Sequence, residues 1–156
     1  MYKNVVFMHI LLRVALFAAL AAACTNANMK NEADQTGGAN LSALTDKRWK
    51  LVELMGKPIA DYGDLNAEPF IHFVSKDNRV TASGGCNNMS GAFELASEGR
   101  IRIGPVASTK MACPNMSVET EMARLLETVD NYAIADGKLS LHRARMAPLM
   151  RFEAAE

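Results

Sequence analysis

The chain has 156 residues, of which 49% are hydrophobic, and it carries 17 basic and 17 acidic side chains. A chain of this length can form one domain with a substantial core. Because the charges balance, the composition argues against a nucleic-acid-binding protein, which needs clustered lysine and arginine to hold phosphate.

The N-terminal region is typical of a cleaved export signal. Lys3 and Arg13 precede an apolar run, Val14 to Ala23, that is too short to cross a bilayer core of about 30 Å as a helix. Cys24 follows directly, which predicts cleavage before this residue and lipidation of its thiol, as in bacterial lipoproteins. Ordinary secretory cleavage is the alternative, but it would leave a reactive unpaired thiol in an oxidising compartment.

The pattern predicts three segments, which are a signal peptide over residues 1–23, a flexible tether over 24–46 and a folded domain over 47–154. The tether is rich in Asn, Ala and Gly, and no apolar periodicity occurs before Trp49. Thr25, in place of Asp, resembles the residue after the cysteine in lipoproteins of the outer membrane. We therefore expect a lipid-anchored protein of the cell envelope that faces the periplasm.

The other two cysteines, Cys86 and Cys113, form an even pair in a chain that is expected to reach an oxidising compartment. This favours one disulfide, which in the chain-entropy model would contribute about 3 to 4 kcal/mol to stability. The alternative is two buried free thiols that act as small hydrophobes, since spacing alone does not fix the separation of two Cα atoms.

Alternation of polar and apolar residues predicts strands through most of the domain. In the first strand, for example, Trp49 and Leu51 share one face. The dipeptide Asp136-Gly137 suits a type I′ turn between two of the strands. The predicted strands are Arg48–Leu54, Phe70–Val74, Arg79–Ser83, Gly91–Leu95, Arg100–Ile103, Tyr132–Ala135, Lys138–Leu141 and Leu149–Phe152.

One segment has helical spacing instead, with Ser117 as its predicted N-cap. The apolar face of this helix comprises Val118, Met122, Leu125, Leu126 and Val129, and the polar face comprises Glu119, Glu121, Arg124 and Glu127. The apolar stripe must pack against the inner face of a curved sheet. The predicted fold is therefore mainly β, a small, partly open antiparallel β-barrel with one amphipathic helix on its core.

Several short motifs occur in a fixed order along this domain. They are Trp49-x-Leu51, Ile71-x-Phe73, Gly84-Gly85-Cys86-Asn87 followed by Gly91 and Phe93, Thr109-Lys110-Met111-Ala112-Cys113, Glu121, Tyr132 and Leu139-x-Leu141. Together they resemble the META domain family, which includes the heat-shock-inducible HslJ-like lipoproteins of bacteria. The resemblance covers nearly the whole mature domain and implies the same half-barrel, a possible link to the stress response and no settled activity.

The two cysteine motifs are expected to meet in the fold. Gly84 and Gly85 suit a tight backbone approach at a barrel corner, and Asn87 can bond local backbone in such a turn. The segment from Thr109 to Cys113 would lie against this loop if the disulfide forms. We interpret the pair as a structural staple, with a ligand-gripping loop as the functional alternative.

The sequence contains no recognisable catalytic motif, so we expect no catalytic residue, cofactor or resident metal. A cysteine nucleophile would need a nearby histidine. However, His72 and His142 lie in strand patterns opposite to apolar neighbours and are expected to point outward. Met111 and Met116 beside Cys113 could offer sulfur ligands to Cu(I), although Met111, like Met122, is better explained as core filler.

Two functional hypotheses remain. The first is a non-enzymatic envelope lipoprotein that binds a protein partner or an apolar ligand and has no nucleic-acid partner. The second is a small periplasmic enzyme or Cu(I) handler that uses the Cys86 and Cys113 region. The neutral charge, the scarcity of histidine and the tether favour the first hypothesis. If the barrel proves to be filled, only its surface can carry the function.

Overall fold

The computed structural model describes residues 42–96 and 99–155. The predicted signal peptide, the lipidation site at Cys24, most of the tether and the Ser97-Glu98 turn lie outside the described residues. In the part that is described, no helix combines the length and the apolar character needed to cross a bilayer.

Ten antiparallel strands form one sheet that curls into a nearly closed barrel. The strands are β1 (Arg48–Leu54), β2 (Lys57–Pro58), β3 (Phe70–Val74), β4 (Arg79–Ser83), β5 (Asn88–Leu95), β6 (Ile101–Ile103), β7 (Ala107–Ser108), β8 (Asn131–Ala135), β9 (Lys138–His142) and β10 (Met150–Ala154). A short 3-10 helix, Ile59–Tyr62, follows β2, and the α-helix α1, Ser117–Leu126, precedes β8. The predicted fold class is confirmed.

The strand order around the barrel is β6-β5-β4-β3-β1-β10-β9-β8, with β2 paired to β1 and β7 paired to β5. The two ends of this order meet through a bridge between Arg100 and Asn131. Next to this bridge, the backbone N–H of Ile101 donates to the carbonyl of Asp130 at 3.2 Å. One isolated bridge therefore leaves the barrel nearly closed, and this short seam partly protects the edges of β6 and β8.

Several predicted boundaries agree with the structure, since β1, β3 and β4 begin and end as expected. The strand β5 is longer than predicted and begins at Asn88, because its first residues pair with the end of β4. The turn at Asp136 and Gly137 has φ angles of 51° and 72°, which confirms the expected I′ geometry. The strands β2 and β7 have two residues each and are too short to give a periodic signal.

The interior of the barrel is filled by large side chains. Trp49, Phe73, Phe93 and Phe152 are all fully buried, and the rings of Phe73 and Phe93 meet edge to face with centroids 5.1 Å apart. The predicted helical stripe belongs to the same buried cluster, which contains Val118, Met122, Leu125, Leu126 and Val129. The helix therefore packs on the core as expected.

The folded domain begins earlier than the predicted boundary at residue 47. Leu44 is completely buried, and its carbonyl accepts a hydrogen bond from the indole Nε1 of Trp49 at 2.8 Å. The N–H of Asp46 donates to the carbonyl of Phe73 at 2.7 Å. A single leucine and two isolated hydrogen bonds leave no periodic pattern, so the sequence did not reveal this attachment.

Candidate functional site

The loop between β4 and β5 packs tightly against the first turn of α1. A Cβ on Gly84 would lie 2.5 Å from the backbone N of Glu119, which is closer than such atoms approach in proteins. Gly85 has a φ of +108° and faces the carbonyl of Ala67. The expected tight approach is therefore present, and it brings the loop against the helix and against the 65–67 segment.

The expected disulfide joins Cys86 to Cys113, with Cα atoms 6.2 Å apart across 27 positions of sequence. It fixes the segment Thr109 to Cys113 against the β4–β5 loop, as predicted. In this oxidised form neither cysteine is a thiolate, so neither can act as a nucleophile or as a thiolate ligand for Cu(I).

Asn87 connects the loop to the segment before the helix, and its side chain is buried. Its Oδ1 accepts hydrogen bonds from Thr109 Oγ1 at 2.8 Å and from the N–H of Met111 at 2.7 Å. Its Nδ2 donates to the carbonyl of Met111 at 3.1 Å. The amide therefore pairs with the Met111 backbone as a neighbouring strand would, which is a longer-range role than the local turn bond that was predicted.

The carboxylate of Glu119 completes this network from the helix side. Only 5% of Glu119 is exposed, and its two oxygens accept hydrogen bonds from the backbone N–H of Asn87 and, at 2.7 Å, from Asn87 Nδ2. The assignment of Glu119 to the polar face was therefore wrong. Its position in the first turn of α1 also places its carboxylate at the positive end of the helix dipole.

The motif residue Glu121 lies outside this network. It is half-buried and accepts a hydrogen bond from Arg124 Nε at 3.2 Å, on the same helix. This hydrogen bond from Arg124 lowers the pKa of the Glu121 carboxyl. Glu121 thus forms a surface pair, whereas Glu119 links the helix to the β4–β5 loop.

The N-terminus of α1 is also capped differently from the prediction. Ser117 is the first helical residue rather than the N-cap, and its N–H and hydroxyl both donate to Asn115 Oδ1, at 3.1 and 2.7 Å. The Nδ2 of Asn115 donates to the carbonyls of Tyr62 and Asp64. Asn115 therefore ties α1 to the end of the 3-10 helix and to the residues that follow it, a role with no signal in the sequence.

The remaining motif residues have separate roles. The side chain of Met111 is 56% exposed, so its prediction as core filler was wrong, whereas Met122 is buried as expected. A Cβ on Gly91 would lie 3.0 Å from the carbonyl of Pro105, so glycine at this position of β5 leaves room for the following chain. Ala112 is exposed beside the disulfide.

The family model of the META domain matches residues 42–156. This chain belongs to the META domain family. The match begins near Leu44, where the packed core begins, and it includes the network between the β4–β5 loop and α1.

Two solved structures share the fold of this META domain. One is an NMR structure of a protein from Burkholderia xenovorans, with a TM-score of 0.56, 21% identity and coverage of 75% of this chain and 87% of that one. The other is also an NMR structure, with a TM-score of 0.55, 22% identity and coverage of 72% of this chain and 92% of that one. No curated protein matches the chain. At these identities the likeness concerns the fold alone.

The surface of the META domain carries an open apolar cleft beside the 3-10 helix, with a volume of about 530 Å³. An ion pair between Lys50 Nζ and Glu68 Oε2 lies at its rim. The larger apolar side chains of its lining are Leu51, Val52, Pro58, Ile59, Leu65 and Pro69. This cleft is formed by residues outside the two cysteine motifs.

Both histidines of the META domain alternate with buried neighbours along their strands, as expected for outward-facing positions. His72 lies between Ile71 and Phe73 in β3, and His142 ends β9 after Leu141. Among the described residues, no three side chains of the types His, Cys, Asp and Glu are placed to hold a metal ion.

Proposed function

We propose that this protein is a non-enzymatic lipoprotein of the bacterial cell envelope that is anchored through Cys24 and binds a partner at the surface of its META domain. The disulfide between Cys86 and Cys113 is the observation that carries this proposal. Disulfides persist in oxidising compartments such as the periplasm. Because the chain has three cysteines, this pairing leaves Cys24 for the lipid.

The packing of the interior supports binding at the surface rather than inside the barrel. Trp49, Phe73, Phe93 and Phe152 fill the space between the strands, and the helical stripe, including Met122, is buried with them. A ligand-carrying barrel would need an unfilled apolar interior. The outer surface is therefore the part of the domain to which we assign partner binding. By its META family, we connect this role to envelope stress.

The anchoring part of the proposal is tested by labelling with a fatty acid in cells. The wild-type protein should incorporate the label and fractionate with membranes, whereas Cys24→Ser should do neither. Thr25→Ala changes the adjacent residue without removing the thiol, and it should be labelled like the wild type. An unlabelled wild-type product in the soluble fraction would refute the lipoprotein assignment.

The membrane to which the protein is sent can be tested separately. We expect the wild type, with Thr25 after the cysteine, to fractionate with the outer membrane, whereas Thr25→Asp should shift the protein to the inner membrane. If both proteins fractionate with the inner membrane, the outer-membrane assignment is incorrect, although the anchoring remains.

The absence of a carrier function is tested with a fluorescent fatty acid and the purified protein. A ligand that binds only the folded state raises the melting temperature by mass action. Because the interior is filled, we expect neither saturable binding of the fatty acid nor a rise of the melting temperature. A saturable titration with a rising melting temperature would replace surface binding with ligand carriage.

A further inference from the structure

Among the described residues, the exposed large hydrophobic side chains are all methionines. Met55 is 52% exposed, Met111 56% and Met146 60%. Three other methionines are at most 1% exposed and lie in the core, namely Met89, Met122 and Met150. These six methionines therefore form two groups that differ sharply in their access to solvent, and Met116 is intermediate between them.

The three exposed methionines lie toward one end of the barrel. Strands β1 and β4 are both antiparallel to β3, and strands β1 and β9 are both antiparallel to β10. Strands β1, β4 and β9 therefore run in the same direction. Met55 follows β1, Met146 follows β9, and Met111 is bonded to Asn87, which follows β4. This end is opposite the end at which the chain enters β1.

Hydrogen bonds hold the backbone at each of these positions. The N–H of Met55 donates to the carbonyl of Leu149 at 2.8 Å, and that of Met146 donates to the carbonyl of Arg143 at 3.2 Å. The N–H of Met111 donates to Asn87 Oδ1 at 2.7 Å. Met55 also has a φ of 52°, a conformation in which glycine or asparagine is usual. This φ belongs to the two-residue turn Met55-Gly56 that joins β1 to β2.

We propose that Met55, Met111 and Met146 form an oxidant-reactive face that intercepts two-electron oxidants of the hypohalous acid class. With hypochlorous acid, each thioether sulfur is oxidised by two electrons and gains one oxygen atom to become a sulfoxide. The oxidant is reduced as its O–Cl bond breaks, chloride leaves with the bonding electrons, and the proton goes to water. This proposal does not depend on the lipid anchor.

The fold is expected to survive this reaction because the new polar groups remain in solvent. A sulfoxide on Met122 would instead place a polar oxygen in the apolar core without a partner, which is destabilising. The exposed set can therefore be oxidised and later reduced by a dithiol reductase, with the barrel intact throughout. The core methionines are shielded by the same packing that holds the domain together.

The first test is site-resolved oxidation of the purified mature protein with hypochlorous acid below one equivalent per methionine. Peptide mass spectrometry should show sulfoxide at Met55, Met111 and Met146 at least about tenfold sooner than at Met89, Met122 and Met150. In denaturing urea, the rates at all six sites should converge. Equal rates in the folded protein, or an oxidised product whose melting temperature falls by more than a few degrees, would overturn the proposal.

The second test counts the oxidant that the face consumes. Titration until the fluorescence of buried Trp49 is lost should take about three equivalents less for the variant M55L/M111L/M146L than for the wild type, since each thioether consumes one equivalent. Met122→Leu removes a buried methionine with little change of volume and should leave the fast phase unchanged. If M122L lowers the fast uptake as much as the triple variant does, exposure does not select the reacting residues and the proposal fails.

Discussion

The backbone of Glu119 occupies the space that a side chain on Gly84 would need. A Cβ at Gly84 would lie 2.5 Å from the Glu119 N and 2.6 Å from the Glu119 Cβ. Rotation of a side chain cannot relieve this contact, because it involves the helix backbone. The helix would have to move, and the same helix buries Met122 and Leu126 in the core. Gly84 therefore sets the distance between α1 and the barrel.

We expect Gly84→Ala to lower the free energy of unfolding by at least about 1 to 3 kcal/mol, as in other overpacked sites. Urea unfolding of the purified protein would measure the change. Gly104→Ala is a matched control, since the nearest atom to its new Cβ would be the Ala92 carbonyl oxygen at an ordinary 3.6 Å. Equal stability of the two variants would show that the helix can shift without cost.

The two glutamates on α1 should respond differently to the same substitution. Glu119→Gln replaces an acceptor oxygen with a donor beside Asn87, so one N–H of Asn87 loses its partner. This should lower the free energy of unfolding by about 1 to 3 kcal/mol. Glu121→Gln removes only a surface pair with Arg124 and should cost about 0.5 kcal/mol or less. Urea unfolding of both variants would measure these changes. Similar losses in the free energy of unfolding would show that Glu119 has no special structural role.

The disulfide should add stability without being required for the fold. Replacing both Cys86 and Cys113 by alanine should lower the free energy of unfolding by about 3 to 4 kcal/mol, because the unfolded chain gains the freedom of an open 27-residue loop. The hydrogen bonds of Asn87 to Met111 remain and should keep the loop in place.

The thiols of the wild type should resist alkylation until a reductant is added. Reductant should lower the unfolding midpoint of the wild type and leave that of the double alanine variant unchanged. Rapid alkylation of the untreated wild type would show that the cysteines are not paired, and it would revive the reactive-cysteine hypothesis.

Asp130 should contribute to the acid sensitivity of the fold. The N–H of Ala144 donates to its carboxylate at 2.7 Å, and this hydrogen bond is the main reason that the pKa of Asp130 is lowered from 3.8. Because the folded pKa is lower than the unfolded one, the contribution is fully present above pH 3.8 and is lost as the pH falls through the folded pKa.

Asp130→Asn keeps an oxygen that can accept the same hydrogen bond but removes the titration. Stability measured from neutral pH down to about pH 2 should therefore fall less steeply for this variant than for the wild type. The same dependence of stability on pH in both proteins would mean that the folded structure does not stabilise the ionised form of Asp130.

Most of the strand framework could be predicted because its signal is local. Trp49 and Leu51 alternate with polar residues, and a strand with one buried face requires that alternation. The Asp136-Gly137 turn was predictable for the same reason, since its geometry depends on two adjacent residues. The even number of cysteines after Cys24 added the pairing of Cys86 with Cys113 to this framework.

The network at the helix could not be predicted, because its signal is not local. Periodicity assigns a carboxylate to the solvent face of a helix, yet Glu119 is satisfied by Asn87, 32 positions away. Met111 was placed in the core because its type is apolar, whereas the structure binds its backbone and leaves its side chain exposed. Long-range hydrogen bonds to single residues leave no pattern in the sequence.

The final strand of the domain, β10, lies between β1 and β9 rather than at an edge of the sheet. Trp49 is opposite Ala154, and the side chains of Arg151 and Glu53 bond across 98 positions of sequence. A nascent chain that leaves the ribosome or a translocation pore N-terminus first thus cannot close the barrel until its last residues have emerged. Such distant pairing makes folding slow, because the chain loses the entropy of closing a long loop before the stabilising contacts form. Closure of the barrel thus depends on the segment that is synthesised last, so the strands made earlier must wait for β10 before the core is sealed.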